Sequence, residues 1–242
     1  MCIYANSYFP IENAYIYNIS ELKISFLSCL TDYTGVITSL RVGGKSYTIR
    51  EIMEKNFEDM CLNNFNKTRA FVKIEDGCEN YCSYCIIPYA RGRVRSKSLE
   101  NIKREVDLLV ENGFKEVVLI GINLSAYGKD EGLNLADAVE TVAKTGIERI
   151  HYTTSHPRDL DLNTIKAMGE CKSVMPNLHL PVQSGDNTVL KRMNRKYTHE
   201  EYVEKIKLLR EYVPGISITT DIIVAFPGET EEQFQHTLDL VE

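Results

Sequence analysis

From residue 69 onward, short apolar runs rich in β-branched residues alternate with segments whose apolar positions recur at helical spacing. The runs fall at residues 70–74, 116–122, 149–154, 177–182 and 216–226. Such a strand-then-helix order predicts an α/β domain with parallel strands. The clearest helix opens at Ser98, where Ile102, Val106, Leu109 and Val110 share one face and Gly113 stands just past the end as a stop signal. Further helices are expected over residues 135–144, 162–171, 199–212 and 230–241. Five βα units in succession suit a closed or partial barrel, or a doubly wound sheet. No sequence period of solenoid length repeats, so the repetition lies in the architecture. Residues 1–66 read differently, with six Tyr, short mixed apolar runs and a Gly43-Gly44 turn signal; this pattern assigns them no fold. The sequence ends at Val241-Glu242, in or just after the last helix. A barrel of six or eight units would then lack its last strands, and closure would need a partner or a longer parent chain.

Composition narrows the class without naming a function. At 43 % apolar and 26 % charged residues over 242 positions, the chain is neither disordered, collagenous nor of low complexity. Its longest apolar stretches, such as residues 117–120, fall far below the roughly 20 residues of a membrane span. The N-terminus lacks the basic and apolar regions of a secretory leader, so a cytoplasmic location is expected and no membrane partner. With 28 Lys+Arg against 34 Asp+Glu, the net charge of −6 excludes a whole-surface nucleic-acid binder but leaves room for a local basic strip. Seven Cys is an odd number in a chain without a secretion signal, which speaks against a disulfide framework.

Three of the seven stand apart. Cys78, Cys82 and Cys85 form a C-x3-C-x2-C run directly after the first strand. That puts them on the loop at the strand's carboxyl end, where α/β barrels build their active sites. Thiolates so close together converge on a metal or a cluster. A structural zinc site wants four closed ligands, and no second C-x2-C pair exists. A four-iron cluster held by three Cys keeps one iron open, which makes a reaction site. Other strand ends carry Leu119-Ile120-Gly121-Ile122-Asn123, Leu180-Pro181-Val182-Gln183-Ser184-Gly185, and a run from Asp221 that ends in Pro227-Gly228-Glu229-Thr230. The last string equally describes a turn followed by an acidic helix start. Gln183 and Ser184 have two readings, as hydrogen-bonding groups for a ribose or substrate and as caps of the next helix. Cys171, on a helix away from the strand ends, is expected to be a small core residue.

The triad, with aromatic Tyr84 before its last Cys, resembles the signature of the radical S-adenosylmethionine (SAM) enzymes. The resemblance implies a partial TIM-type (βα)6 barrel over residues 67–242, truncated at its C-terminal side and preceded by the segment 1–66. It implies one [4Fe-4S] cluster on Cys78, Cys82 and Cys85, whose open iron chelates the amino and carboxylate groups of SAM. One electron then cleaves SAM to a 5′-deoxyadenosyl radical, which can abstract hydrogen from an unactivated C–H bond. It further implies Tyr84 against the adenine, Gly121 and Asn123 near the methionine part, and Gln183, Ser184 and Asp221 as cofactor-binding positions.

Longer strings resemble the tRNA methylthiotransferases: residues 68–77 and 86–96 around the triad, Thr154-Ser155-His156-Pro157, the Leu180 to Gly185 run, and Lys191-Arg192-Met193-Asn194-Arg195-Lys196-Tyr197-Thr198. That family adds a methylthio group at carbon 2 of a hypermodified adenosine beside the tRNA anticodon. The triad flank and the Gly-Ile-Asn stretch resemble its threonylcarbamoyl-adenosine enzymes; Thr-Ser-His-Pro and Leu-Pro-Val-Gln-Ser-Gly resemble its isopentenyl-adenosine enzymes. The implied partners are tRNA and an electron donor such as flavodoxin or ferredoxin. Arg91, Arg93, Arg95 and Lys97 form a basic strip beside the cluster loop, which would contact RNA phosphates while a looped-out base reaches the radical; the other reading is a solvated charged loop. Tyr89 would stack on a base or pack. Family members also carry a second three-Cys cluster in an N-terminal domain and a C-terminal RNA-binding domain. Cys2, Cys29 and Cys61 match the first in number only, with 16 residues between Cys61 and Cys78, so a second cluster and a set of ordinary thiols are both open; nothing matches the RNA-binding domain. Two further functions stay open: a single-cluster enzyme that cleaves SAM without sulfur transfer, and an inactive fragment.

Overall fold

The computed structural model describes residues 68–242 except residue 154, together with the backbone of strands β1 (Ser39–Val42) and β2 (Lys45–Thr48). The chain divides into two units, Met1–Glu51 and Ile52–Glu242. In the first, β1 and β2 pair antiparallel with Val42 opposite Lys45. The expected boundary at 66/67 and the residues Cys2, Cys29 and Cys61 lie outside the described residues.

Alternation within each strand organises the second unit. In β3 (Arg69–Lys73), Ala70 and Val72 are buried while Arg69 and Phe71 are exposed, so one face of the strand is packed and the other is open. A short hairpin follows, β4 (Glu75–Asp76) against β5 (Arg95–Ser96), with the cysteine loop and the one-turn helix α1 (Ile87–Arg91) between its arms. Helix α2 (Leu99–Glu111) starts where Ser98 accepts a hydrogen bond from the Asn101 N–H and buries Ile102 and Val106. It stops where the N–H groups of Gly113 and Phe114 return to the Val110 and Leu109 carbonyls, with Gly113 at φ +84°, the two-bond pattern of a Schellman stop. Strand β6 (Glu116–Ile120), helix α3 (Leu135–Ala143), strand β7 (Arg149–Tyr152) and helix α4 (Leu162–Glu170) continue the alternation. After β8 (Asn177–His179) come α5 (Asn187–Arg192) and α6 (His199–Tyr212), then β9 (Ser217–Thr219) and α7 (Glu231–Val241). Asn134 and Asp137, Thr198 and Glu201, and Thr230 and Gln233 form capping boxes at α3, α6 and α7, so each of these starts is set by local side chains.

Strands β3, β6 and β7 pair in parallel in that order, as do β8 and β9. Backbone bonds from Ile150 to Ser173, from Met175 to Ile150 and from Ser155 to His179 join β7 to the β8 segment. Together they make five parallel strands in chain order, an incomplete barrel. One face contributes Val72, Val117, Leu119, Ile150 and Leu178 to the buried core under the helices. The opposite face borders a cavity of about 430 Å³ whose lining includes His151, Asn177, His179 and Thr219.

The expected elements are present, but four of the five strands are shorter than expected, the last two most of all. The run at 177–182 is strand only over Asn177–His179, and the run at 216–226 only over Ser217–Thr219. Pro181 has no N–H to donate to a ladder, and Gln183 and Ala225 both sit at positive φ, which bends the chain out of strand geometry. The Pro227-Gly228 string is the turn of its second reading: Glu229 N–H returns to the Phe226 carbonyl, and Thr230 caps α7.

Candidate active site

At the carboxyl end of β3 the chain must reverse within a few residues. Gly77 makes this possible at φ +90°, and a Cβ there would stand 2.0 Å from the Arg93 carbonyl oxygen. Cys78 N–H then donates to the Gly92 carbonyl at 3.1 Å, and Cys85 N–H to the Cys82 carbonyl at 2.9 Å. The far side of the loop rests on the segment after α5: Ser83 N–H donates to the Met193 carbonyl at 3.0 Å, and Asn194 Nδ2 to the Tyr81 carbonyl at 2.7 Å. Cys78 and Cys82 are buried, Cys85 is half-buried, and all three thiols are free. Burial, with a smaller contribution from the other two cysteines, pushes the Cys78 thiol up. Tyr84 is 43 % exposed and meets Phe226 edge-on at 6.5 Å.

Around this loop lies a set of buried polar groups. Asp159 collects Asn80 Nδ2 at 3.2 Å, Asn123 Nδ2 at 2.7 Å, Lys129 Nζ at 2.6 Å and Arg158 Nε at 2.8 Å. One carboxylate therefore ties the cysteine loop, through Asn80, to the end of β6, through Asn123. Glu75, fully buried, accepts the Ile122 and Asn123 N–H groups on Oε2 at 2.7 and 2.8 Å. A Cβ on Gly121 would meet that oxygen at 2.5 Å, so glycine at 121 admits the carboxyl. Glu75 Oε1, Asn80 Oδ1 and Asn123 Oδ1 are buried acceptors without a hydrogen-bond partner. Buried oxygens of this kind are costly unless something meets them.

Burial raises the Glu75 carboxyl to about 8, although its two backbone bonds oppose the shift. The folded chain therefore holds this proton more tightly than the unfolded chain does. Glu75 should cost stability progressively as pH rises from its ordinary value of 4.5 through about 8, with a slope of up to about 1.4 kcal/mol per pH unit. A Glu75→Gln variant without metal or SAM should gain stability relative to the native chain across that window in denaturant titrations; parallel pH profiles would refute the assignment.

Residues 72–241 match the radical SAM superfamily. The chain belongs to that superfamily. Its sequence is also 48 % identical over 188 residues to a tRNA-2-methylthio-N(6)-dimethylallyladenosine synthase of Acetivibrio thermocellus, covering 76 % of this chain and 39 % of that protein. Synthases of the same name from Pelotomaculum thermopropionicum and Syntrophomonas wolfei are 48 % and 49 % identical, over 76 % and 72 % of this chain and 42 % and 40 % of theirs. The chain thus spans about two fifths of the length of these curated relatives. In fold it resembles the cobalamin-dependent radical SAM enzyme OxsB (TM-score 0.59, 16 % identity, 71 % of this chain and 26 % of that one). It likewise resembles the radical SAM methyltransferase TsrM of Kitasatospora setae (TM-score 0.59, 16 % identity, 71 % of this chain and 34 % of that one).

The radical SAM superfamily implies a [4Fe-4S] cluster and SAM, and the donor set fits both. Among the described residues no three His, Cys, Asp or Glu side chains gather closely enough to share one metal ion. Thiolates on separate corners of a four-iron cube need no such convergence, and the loop offers three. For SAM, whose amino group is cationic, the unpartnered oxygens of Asn80 and Asn123 are acceptors of the right polarity, and Glu75 Oε1 becomes one once a nearby cation draws off the carboxyl proton.

Two of the expected site residues, Ser184 and Lys97, are buried inside the protein. Ser184 is fully buried, accepts the Asp186 N–H and lies 3.4 Å from Thr237 of α7, so its hydroxyl is engaged inside the protein and does not cap α5, whose cap is Asp186. Gln183 is half-buried at φ +70°, its backbone paired with Asp221 and Ile223. Asp221 is exposed, with its carboxylate 3.2 Å from His179 Nε2. The basic strip is divided between surface and interior. Lys97 is 2 % exposed and paired with Glu105, which removes it from any RNA-facing surface. Arg95 and Lys73 hold Asp76 at 3.1 and 2.9 Å, with Arg91 at 3.8 Å. Arg93, 88 % exposed, projects outward. Cys171 packs against the core at the end of α4, as expected. Glu75, Asn80, Asp159 and Arg195 carry no signature of their own. The available signal was position, since Glu75 and Asn80 flank the triad, Asp159 follows Thr-Ser-His-Pro and Arg195 lies within the Lys191 to Thr198 run.

Proposed function

We propose that this chain is the radical-generating core of a tRNA methylthiotransferase that adds a methylthio group at carbon 2 of N6-dimethylallyladenosine beside the anticodon. The reading is carried by one observation: a three-thiol loop at a barrel strand end, ringed by buried unpartnered acceptors, in a chain 48 % identical to a synthase named for that nucleoside. It takes the isopentenyl-type of the two resemblances, because the relatives carry that name.

Cys78, Cys82 and Cys85 would hold the cluster. When bound, the cluster supplies the electron that cleaves SAM and so opens radical chemistry at an unactivated C–H bond. Asp159 fixes Asn80 and Asn123, whose free oxygens, with Glu75 Oε1, would receive the SAM ammonium. Tyr84, at the loop's exposed edge, would flank the adenine. Gln183 and Asp221, at the ends of the last two strands, would border the ribose. On the outer surface, Tyr89 is 71 % exposed and touches Tyr81 edge-on. With Arg93 they would meet tRNA, the rings by stacking and the guanidinium at phosphate, while Asp76 holds Arg91 and Arg95 to shape the loop. The electron would come from a flavodoxin or ferredoxin. Among the described residues no helix is long and apolar enough to cross a membrane.

The test is mass spectrometry of tRNA from a strain lacking its own methylthiotransferase and expressing this chain. Restored methylthio-dimethylallyladenosine is the expected result. Absence of the methylthio group with SAM cleavage intact would favour an enzyme that cleaves SAM without transferring sulfur; absence of both would point to a fragment without turnover.

A further inference from the structure

A buried guanidinium stands against the cysteine loop without a carboxylate. Arg195 is 8 % exposed. Its Nη2 donates to the Pro181 carbonyl at 2.9 Å and its Nε to the Tyr197 hydroxyl oxygen at 3.0 Å, while its Nη1 points at Cys82 Sγ from 3.5 Å. Tyr197 in turn donates to the Val182 carbonyl at 2.7 Å, and its ring centre lies 5.1 Å from the guanidinium carbon. Among the described residues no carboxylate pairs with Arg195, and its partners are two carbonyl or hydroxyl oxygens and a sulfur. The nearby His156, edge-on to Tyr197, is held neutral by burial and by Arg195 itself, with its pKa lowered to about 3. Burying a cation with no anion is expensive. The Cys82 sulfur would supply negative charge here once it is a thiolate ligand.

We propose that Arg195 is a positioning residue that tunes the cluster: fixed by Pro181 and Tyr197, it donates an N–H to the Cys82 thiolate and raises the reduction potential of the cluster held there. The inference rests on the cysteine triad holding a [4Fe-4S] cluster. Its direction follows from charge. Reduction adds one electron to an already anionic cysteinyl cluster, and a fixed cation within hydrogen-bond reach of a ligand sulfur stabilises the more negative state. The fork geometry matters as well, because two of its nitrogens anchor the plane while a third meets the sulfur.

The experiment is an EPR-monitored potential titration of the full chain, reconstituted anaerobically with iron and sulfide, for the native sequence and for Arg195→Met, Arg195→Lys and Tyr197→Phe. In Arg195→Met the midpoint should fall by the equivalent of about tenfold in the one-electron reduction constant, about 59 mV, at unchanged iron content. Arg195→Lys should recover part of that shift, and Tyr197→Phe should lower the midpoint by less, with the same sign. A native midpoint in Arg195→Met at full iron content would overturn the proposal. If Arg195→Met fails to hold iron, native midpoints in both other variants overturn it instead. A native chain that takes up no four-iron cluster would overturn the triad assignment itself, a failure visible before any variant is compared.

Discussion

Replacing Cys82 with alanine is expected to lower the iron content of the reconstituted chain and to cut reductive SAM cleavage by more than about a hundredfold, since losing even an outer partner of a metal site costs 10- to 100-fold. Cys82 is the strongest single test of the triad. It is buried, its carbonyl closes the turn to Cys85, and its sulfur is the one facing Arg195. Alanine keeps the backbone bonds of the loop while deleting the ligand, so a loss of iron would report the ligand and not the turn. Cys171→Ala is the matched control, because that thiol packs at the end of α4 against the core; its iron content should equal that of the native chain. Burial raises the Cys78 thiol, so binding a cluster there would have to release its proton. Loading should accordingly become slower as pH is lowered. Full iron and an undiminished cleavage rate in Cys82→Ala would remove the triad from the site.

Asp159→Ala should have the second large effect, a loss of about 3 kcal/mol at pH 7, the low end of what breaking a buried ion pair costs. The low end applies because Lys129 and Arg158 keep 49 % and 31 % of their side chains in solvent and can be rehydrated. Burial pushes the Asp159 carboxyl up, but hydrogen bonds from Arg158, Lys129 and Asn123 outweigh it and hold it well below its ordinary value of 3.8. A depressed carboxyl contributes fully above its unfolded value and loses its contribution only as pH falls through the folded one. The gap between native chain and variant should therefore be flat from about pH 5 to 8 and close only in stronger acid. Urea titrations across that range measure it. The same variant frees Asn80 and Asn123 from their shared carboxylate, so SAM affinity of the loaded chain should also fall. Asp159→Asn keeps the volume and should lose less. A gap below about 1 kcal/mol for the alanine variant at pH 7 would show that the four donors find other partners.

The fold was legible where neighbouring residues decide the structure. The helix at Ser98, with its cap, its apolar face and Gly113, is the pattern that the backbone follows, and His199 to Tyr212 is bounded as its capping box dictates. Legibility failed at 177–182 and 216–226, where apolar content extended the strands past Pro181 and past the bends at Gln183 and Ala225. The site divides in the same way. The three-thiol loop could be read because its cysteines are close in sequence. Lys97 could not be placed, since the burial that removes it from the basic strip depends on Glu105, a turn and a half into α2. Nor could Ser184, whose surroundings are set by Thr237, 53 residues on.

Sequence by itself determined the parallel βα order, the helix starts, and a three-thiol loop at the end of the first strand of the series. These rest on periodicity, caps and spacing within about a dozen residues, the range over which one stretch of backbone dictates its own conformation. Only the tertiary structure decided that Asp159 joins Asn80 to Asn123, that Glu75 sits against Gly121, and that a buried Arg195 faces Cys82. Each of these brings together groups from different loops, 36 to 113 residues apart. Polar groups are costly to bury unless matched, and their partners exist only once the strands lie side by side.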